Sequence, residues 1–157
     1  MSLWKKSRVV DVVHVEGKME TEKYIYTPGI AGLKVAEALI EGRILGVRCG
    51  DKLYIPAKTY CPDHAEGKLE EVKGPWVVKS YTIVYEDMYG SRLDKPKVIA
   101  LIGVENAHGG LIHYVEVEPD TIAVGLKVEP VFKPREERRG ILADIAYFKP
   151  VEPASPQ

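Results

Sequence analysis

Side-chain amides are nearly absent from this chain: its 157 residues include one asparagine, Asn106, and one glutamine, Gln157. Set against 29% charged residues, this is a heat-adapted composition, in which labile amides are few and lysine and glutamate are plentiful. Cysteine is equally sparse. Cys49 and Cys61 are the only two, too few for a disulfide-stapled secreted scaffold. No apolar run approaches the ~20 residues needed to span a bilayer, and Met1 to Lys6 leads into charged, strand-like sequence instead of an apolar signal core. Charge of one sign is not in excess either. The 22 basic and 23 acidic residues give a formal charge of −1, so there is no global electrostatic reason to seek nucleic acid or an anionic membrane. These absences predict a soluble, cytoplasmic protein, long enough to bury a core in one compact domain or two very small ones.

What the chain does hold is short runs of β-branched residues. Residues 9–15 read as a strand, Glu16-Gly17 as a turn and 19–27 as the return, which predicts an N-terminal hairpin. Thr27-Pro28 then offers an N-cap and a first-turn proline. Ile30, Leu33, Val35, Ala36, Leu39 and Ile40 form an apolar stripe at helical spacing, and Gly42 suits a left-handed C-terminal cap. The spacing predicts a helix over 28–41. Short strands at 44–47 and 53–55 follow, and beyond Gly67 the pattern is β throughout. Strands are expected over 77–85, the apolar run 98–104, the alternating stretch 111–117, then 124–132 and 141–148. Five strands separated by turn residues predict a small closed or partly open barrel. The proline-containing end from Val151 predicts a disordered tail.

Between helix and barrel, Cys49-Gly50-Asp51 and Pro56-Ala57-Lys58-Thr59-Tyr60-Cys61-Pro62-Asp63-His64 look like the two knuckles of a zinc ribbon. Cys61-x-x-His64 keeps a ligand pair at the usual spacing, whereas the first knuckle keeps Cys49 alone. Cys49, Cys61 and His64 are therefore the candidate metal ligands, with zinc as the metal. His14, Asp51, Asp63 or a water would complete the tetrahedral shell. Read as catalysis, Cys61 beside His64 pairs a nucleophile with a base. No third residue orients that base, however, and a knuckle remnant explains the spacing without chemistry.

In this order the pieces resemble a specific family: the two-domain zinc-ribbon and OB-fold proteins associated with acyl-CoA metabolism, many of them known only as a domain of unknown function. The resemblance rests on Glu41-Gly42-Arg43-Ile44-Leu45, Arg48-Cys49, the Pro56 to His64 knuckle and the strand Ser80-Tyr81-Thr82-Ile83-Val84. It spans roughly residues 25–150, with the N-terminal hairpin similar to an extension of archaeal-type members. Members commonly carry two Cys-x-x-Cys knuckles; here no second cysteine follows Cys49, and His64 takes the last position. The resemblance implies a mainly β fold with one or two N-terminal helices. Its parts are a hairpin and helix over 1–42, a degenerate, rubredoxin-like zinc ribbon over 43–68, a five-stranded OB-fold barrel over 69–150 and a tail over 151–157. It also implies a non-catalytic accessory or scaffold subunit that binds coenzyme A or acyl-CoA beside a thiolase-fold enzyme. In the archaeal type, that subunit bridges acetoacetyl-CoA thiolase and hydroxymethylglutaryl-CoA synthase in the mevalonate pathway. The OB half accepts the CoA moiety, and the partner supplies the catalytic residues.

For coenzyme A the candidate contacts are Lys79, Tyr81, Arg92, Lys97, His108 and Gly109. Lys79, Arg92, Lys95 and Lys97 fall near the first two barrel strands and can pair with phosphates, against a default of solvated surface charge. Tyr81, Tyr85, Tyr89 and Tyr114 can form an aromatic face that stacks adenine as OB barrels stack nucleobases; cross-strand packing is the plainer account. His108-Gly109-Gly110 reads as a hairpin turn, or more sharply as a loop whose amides approach a phosphate, since glycine permits close contact. His113 shares the alternation of Leu111 and Val115 and reads as a half-buried histidine. Residues 133–139, mixed in sign, read as a hairpin tip. Two other functions compete. A nucleic-acid-binding OB-fold protein follows from fold analogy alone and meets an even charge balance; a small acyl-thioester hydrolase would depend on Cys61.

Overall fold

A helix, a four-stranded sheet and a closed five-stranded barrel make up residues 27–63 and 66–151, which the computed structural model describes. The hairpin expected over 9–26, His14, His64 and the tail beyond Val151 lie outside the described residues. Helix α1, Gly29–Ile40, starts after Pro28 without a side-chain cap. It ends as its sequence dictates. Gly42 adopts φ 78°, its N–H donates to the Leu39 carbonyl at 3.0 Å, and the Arg43 N–H donates to that of Ala38 at 2.8 Å. These two bonds form a Schellman closure, which requires a left-handed residue. The buried face is shifted from the expected stripe. Ala31, Ala38 and Leu39 are buried, whereas Ile30 and Leu33 are exposed. Small side chains set this phase: Gly140 sits so close that a Cβ there would lie 2.9 Å from the Ala36 Cβ.

The small sheet comprises β1 (Leu45–Cys49), β2 (Lys52–Ile55), β3 (Lys68–Glu71) and β6 (Ala107–Gly109), in the order β3-β1-β2-β6. The barrel comprises β4 (Trp76–Glu86), β5 (Arg92–Val104), β7 (Leu111–Val115), β8 (Lys127–Phe132) and β9 (Ile145–Pro150). Its order β4-β5-β7-β9-β8 closes where Trp76 pairs with Val128, and β7 meets β9 in parallel at Val115 and Phe148. This is the five-stranded Greek-key arrangement of an OB-fold. The residues expected to form a hairpin turn after β5 do connect the antiparallel pair β5 and β7, and within that connection they also make β6, which runs parallel to β2 with His108 opposite Tyr54. The small sheet thus borrows a strand from within the barrel's own sequence and continues to Glu71.

One core joins the parts. Phe148, Ile102 and Val78 fill the barrel, and the same apolar cluster takes in Leu39 from the helix and Ile55 from the small sheet. Trp76 meets Phe148 edge to face, ring centres 5.9 Å apart, a geometry that suits aromatic quadrupoles. Residues 133–144 do connect the antiparallel pair β8 and β9, and they fold around a buried carboxylate. Asp144 is 1% exposed and accepts the backbone N–H groups of Arg139, Gly140 and Ile141 at 3.0, 2.6 and 3.1 Å. Burial pushes its pKa up, but those amides and the charge of Lys133 outweigh it and hold the carboxyl below its ordinary value. The loop in turn aims Arg138, which donates to the Lys133 carbonyl at 2.7 Å and to Ile40, at the helix end, at 3.1 Å.

Candidate functional site

The six residues expected to meet coenzyme A separate into distinct places. Three of them gather where the small sheet meets the barrel. Val78 pairs with Ile102 and Ser80 with Leu101, so Lys79 is an extra residue in β4. A bulge of this kind re-aims a side chain. The Lys79 ammonium donates to the carbonyls of Ala107 at 2.7 Å and Gly109 at 3.1 Å. Glycine at 103 leaves the passage, since a Cβ there would lie 2.6 Å from Lys79 Cε. His108 stacks on Tyr54 with ring centres 4.9 Å apart. Gly109, at φ 79°, packs against the Ile55 carbonyl, which also accepts the Gly110 N–H at 2.9 Å. The close approach read from these glycines is therefore made to the neighbouring strand β2, and Lys79 braces that contact.

The remaining three lie apart. Tyr81 pairs with Ala100, which pairs with His113, whereas Ile99 pairs with Tyr114. Because strand side chains alternate, Tyr81 and Tyr114 point to opposite faces of the sheet. The four tyrosines are all exposed but form no single aromatic face. Arg92 stands opposite Glu86 at the far end of the β4–β5 hairpin. Lys97 shares the outer face with Tyr114, its ammonium 5.7 Å from the ring centre.

Around that pair runs a groove of roughly 670 Å³ across β5, β7 and β9, lined by Lys95, Lys97, Tyr114, Glu116, Glu118 and Tyr147 among others. Among the described residues no ion pair engages Lys95 or Lys97. Its volume falls within the range of small-molecule sites. Sequence reasoning named Lys95, Lys97 and Tyr114 without bringing them together. Tyr147 comes from β9, which only barrel closure carries to this place.

The cysteines hold the sharpest difference from expectation. Cys49 and Cys61 are joined in a disulfide, and Cys61 is 5% exposed. In that state neither offers a thiolate to a metal or a substrate. Among the described residues no group of three or more His, Cys, Asp or Glu could hold a metal ion, and His64 lies outside them. Around this bond Ile55 is buried and Leu53 abuts the core, while Tyr60 is 62% exposed. His113 is half-buried, as its alternation requires. Burial holds its pKa below the ordinary histidine value, which backbone groups at Tyr114, Leu142 and Ile145 only partly offset.

An OB-fold barrel with a small appended sheet, braced at their junction and open along one outer groove, is the class that this geometry defines. The profile of the C-terminal OB-fold domain of ChsH2 matches residues 69–133. A DUF35 domain-containing scaffold protein of Methanothermobacter thermautotrophicus is 32% identical over 109 residues, 66% of this chain and 81% of that protein. Its counterpart in Methanocaldococcus jannaschii is 29% identical over 116 residues, 69% and 82% of the two chains. Among solved structures, a DUF35-family protein of unknown function from Sulfolobus solfataricus is 32% identical with a TM-score of 0.58, covering 66% of this chain and 78% of that one. An Ltp2–ChsH2(DUF35) aldolase, at 20% identity and a TM-score of 0.57 over 78% and 95%, shares the fold. The chain belongs to the DUF35 family, and its scaffold-protein relatives support an accessory, scaffolding role. No helix among the described residues is long and apolar enough to cross a membrane.

Proposed function

We propose that this protein is a non-catalytic scaffold subunit of a thiolase-type complex that holds acyl-CoA in the Lys95–Tyr114 groove. The archaeal pairing of acetoacetyl-CoA thiolase with hydroxymethylglutaryl-CoA synthase is the assembly that the family resemblance favours. The observation that carries the ligand reading is an exposed tyrosine that shares a groove of suitable volume with two lysines, neither in an ion pair among the described residues. An adenine ring stacks on Tyr114, and CoA phosphates pair with Lys95 and Lys97. Glu116 and Glu118, on the β7 side, repel phosphate and confine the anionic end to the lysine side. A carrier site beside a partner's active site raises the local concentration of a shared intermediate without a general base of its own.

Isothermal titration of the full chain with CoA and acetyl-CoA tests the ligand. Lys97→Ala or Tyr114→Ala should each weaken binding about tenfold, and added salt should weaken it further. Native isolation from source cells with mass spectrometry tests the partner. Recovery without a thiolase-fold enzyme, together with no CoA binding, would refute the proposal. A salt-dependent shift with single-stranded oligonucleotides would replace it with nucleic-acid binding.

A further inference from the structure

The segment that reads as two metal knuckles is closed by a covalent bond, and its surroundings fit that bond. Cys49 ends β1, Gly50 turns the chain at φ 60°, and Cys61 follows 12 residues later. Gly67 lies opposite Cys49, one step beyond the Arg48–Lys68 pair. A Cβ at position 67 would come within 3.2 Å of the Cys61 sulfur and 3.7 Å of the Cys49 sulfur, and would collide with Val47. The backbone entering β3 therefore lies directly over both sulfurs. A tetrahedral metal would hold each sulfur about 2.3 Å from itself and needs two further ligands; the Gly67 backbone occupies one side of the sulfur pair, and among the described residues no group of three or more His, Cys, Asp or Glu could hold a metal. The turn that a first knuckle would hold is held otherwise. Arg48 donates to the Asp51 carbonyl at 3.1 Å and pairs with Glu70 across the sheet.

We propose that the Cys49–Cys61 disulfide is the structural closure of this module in the working protein, in the place of a metal. The module then responds to reductant and not to chelator. The bond closes a loop that contains β2, the strand that pairs with β6 through Tyr54–His108 and Ile55–Gly109, and β6 in turn is braced to the barrel by Lys79. Reduction loosens that junction first. Forming the bond converts two thiols to a disulfide and gives up two protons and two electrons. They pass to a protein or small-molecule disulfide by thiol–disulfide exchange. The thiolate of Cys49, more exposed than Cys61, attacks that accepting disulfide and releases one thiol. The Cys61 thiolate then resolves the mixed disulfide and releases the second. This inference stands independently of acyl-CoA binding.

The test uses the full chain, acid-quenched in source cells, denatured, alkylated and weighed intact. No adducts should form before reduction and two after it, with zinc far below one per chain. In the purified protein, reductant should lower the Tm by about 5–10 °C and speed amide exchange in β2 and β6, while chelator changes neither. Two adducts without reductant overturn the proposal, as does one zinc per chain whose removal by chelator lowers the Tm. Where Cys61→Ser alone fails to fold, Cys49→Ala with Cys61→Val should melt with the reduced wild type; melting with the oxidised protein also overturns the proposal.

Discussion

Removal of one buried carboxylate should loosen the end of the helix against the barrel. Asp144 is the only buried charged residue among those described, and three backbone N–H groups converge on it. Hydrogen bonds to a charged acceptor contribute about 1.5–3 kcal/mol each, yet a plain sum overstates the loss. Arg139 and Ile141 are exposed and Gly140 partly so, so water replaces much of what the carboxylate supplied. Asp144→Ala should therefore cost about 3 kcal/mol, which in a domain of this size lowers the Tm by about 6–12 °C. Part of that loss falls at a distance. Without the carboxylate, the loop no longer aims Arg138 at the Ile40 carbonyl, and amide exchange should rise in the last turn of α1.

Acid dependence gives a second readout. The folded-state pKa of Asp144 lies below its ordinary value, so the folded chain binds fewer protons there than the unfolded chain. Its contribution is complete above the unfolded pKa of about 3.9 and is lost as pH falls through the folded value. The wild type should therefore lose Tm on acidification below about pH 4, and Asp144→Asn should start lower and lose less over that range. Circular-dichroism melts at several pH values measure both. A variant within about 1 kcal/mol of wild type, or an acid limb that Asp144→Asn leaves unchanged, would refute the reasoning.

Two further outcomes follow from the junction. Gly109→Ala places a Cβ into the Ile55 carbonyl at a positive φ, which should cost about 3 kcal/mol in denaturant melts and disturb β2 and β6 before the barrel. Lys79→Met keeps the stem but removes the ammonium from two carbonyls. It should cost about 2 kcal/mol and raise amide exchange at 107–110, and it should leave CoA affinity unchanged if the groove is the ligand site.

The features legible in the sequence were those fixed by local rules. Gly42 ended the helix because a left-handed cap needs glycine, and β-branched content, the apolar run 98–104 and the alternation over 111–117 and 124–132 marked the barrel strands, with 141–148 starting ahead of β9. What stayed hidden depended on partners distant in sequence. Strand β6 has three residues, too few to show a period, and its strand character comes from β2, some fifty positions earlier. The bulge at Lys79 is a property of pairing with β5, so its lysine looked like a free surface cation. Asp144 was inconspicuous at the end of a charged loop. The spacing of Cys49 and Cys61 is compatible with both a ligand pair and a bond; the backbone at Gly67, which distinguishes them, is placed by β1–β3 pairing. The tyrosines misled for a related reason: composition counted four, while register set Tyr81 and Tyr114 on opposite faces.

Strand β5 explains how the two halves of the molecule can serve separate ends. Its 13 residues carry Lys95 and Lys97 into the groove near one end and lead directly into β6 and the junction at the other. From Lys97 to Gly103 the strand advances about 20 Å, and Val98, Ala100 and Ile102 are buried along that length. A strand pinned in the core between two neighbours does not bend to pass small shifts along, because close-packed interiors resist continuous deformation. The disulfide and the Lys79 brace therefore act on the seating of the small sheet, while the groove keeps its shape. The proposed scaffold role calls for that division: under it, the small-sheet face would meet a partner or respond to redox state while the groove face keeps its bound ligand.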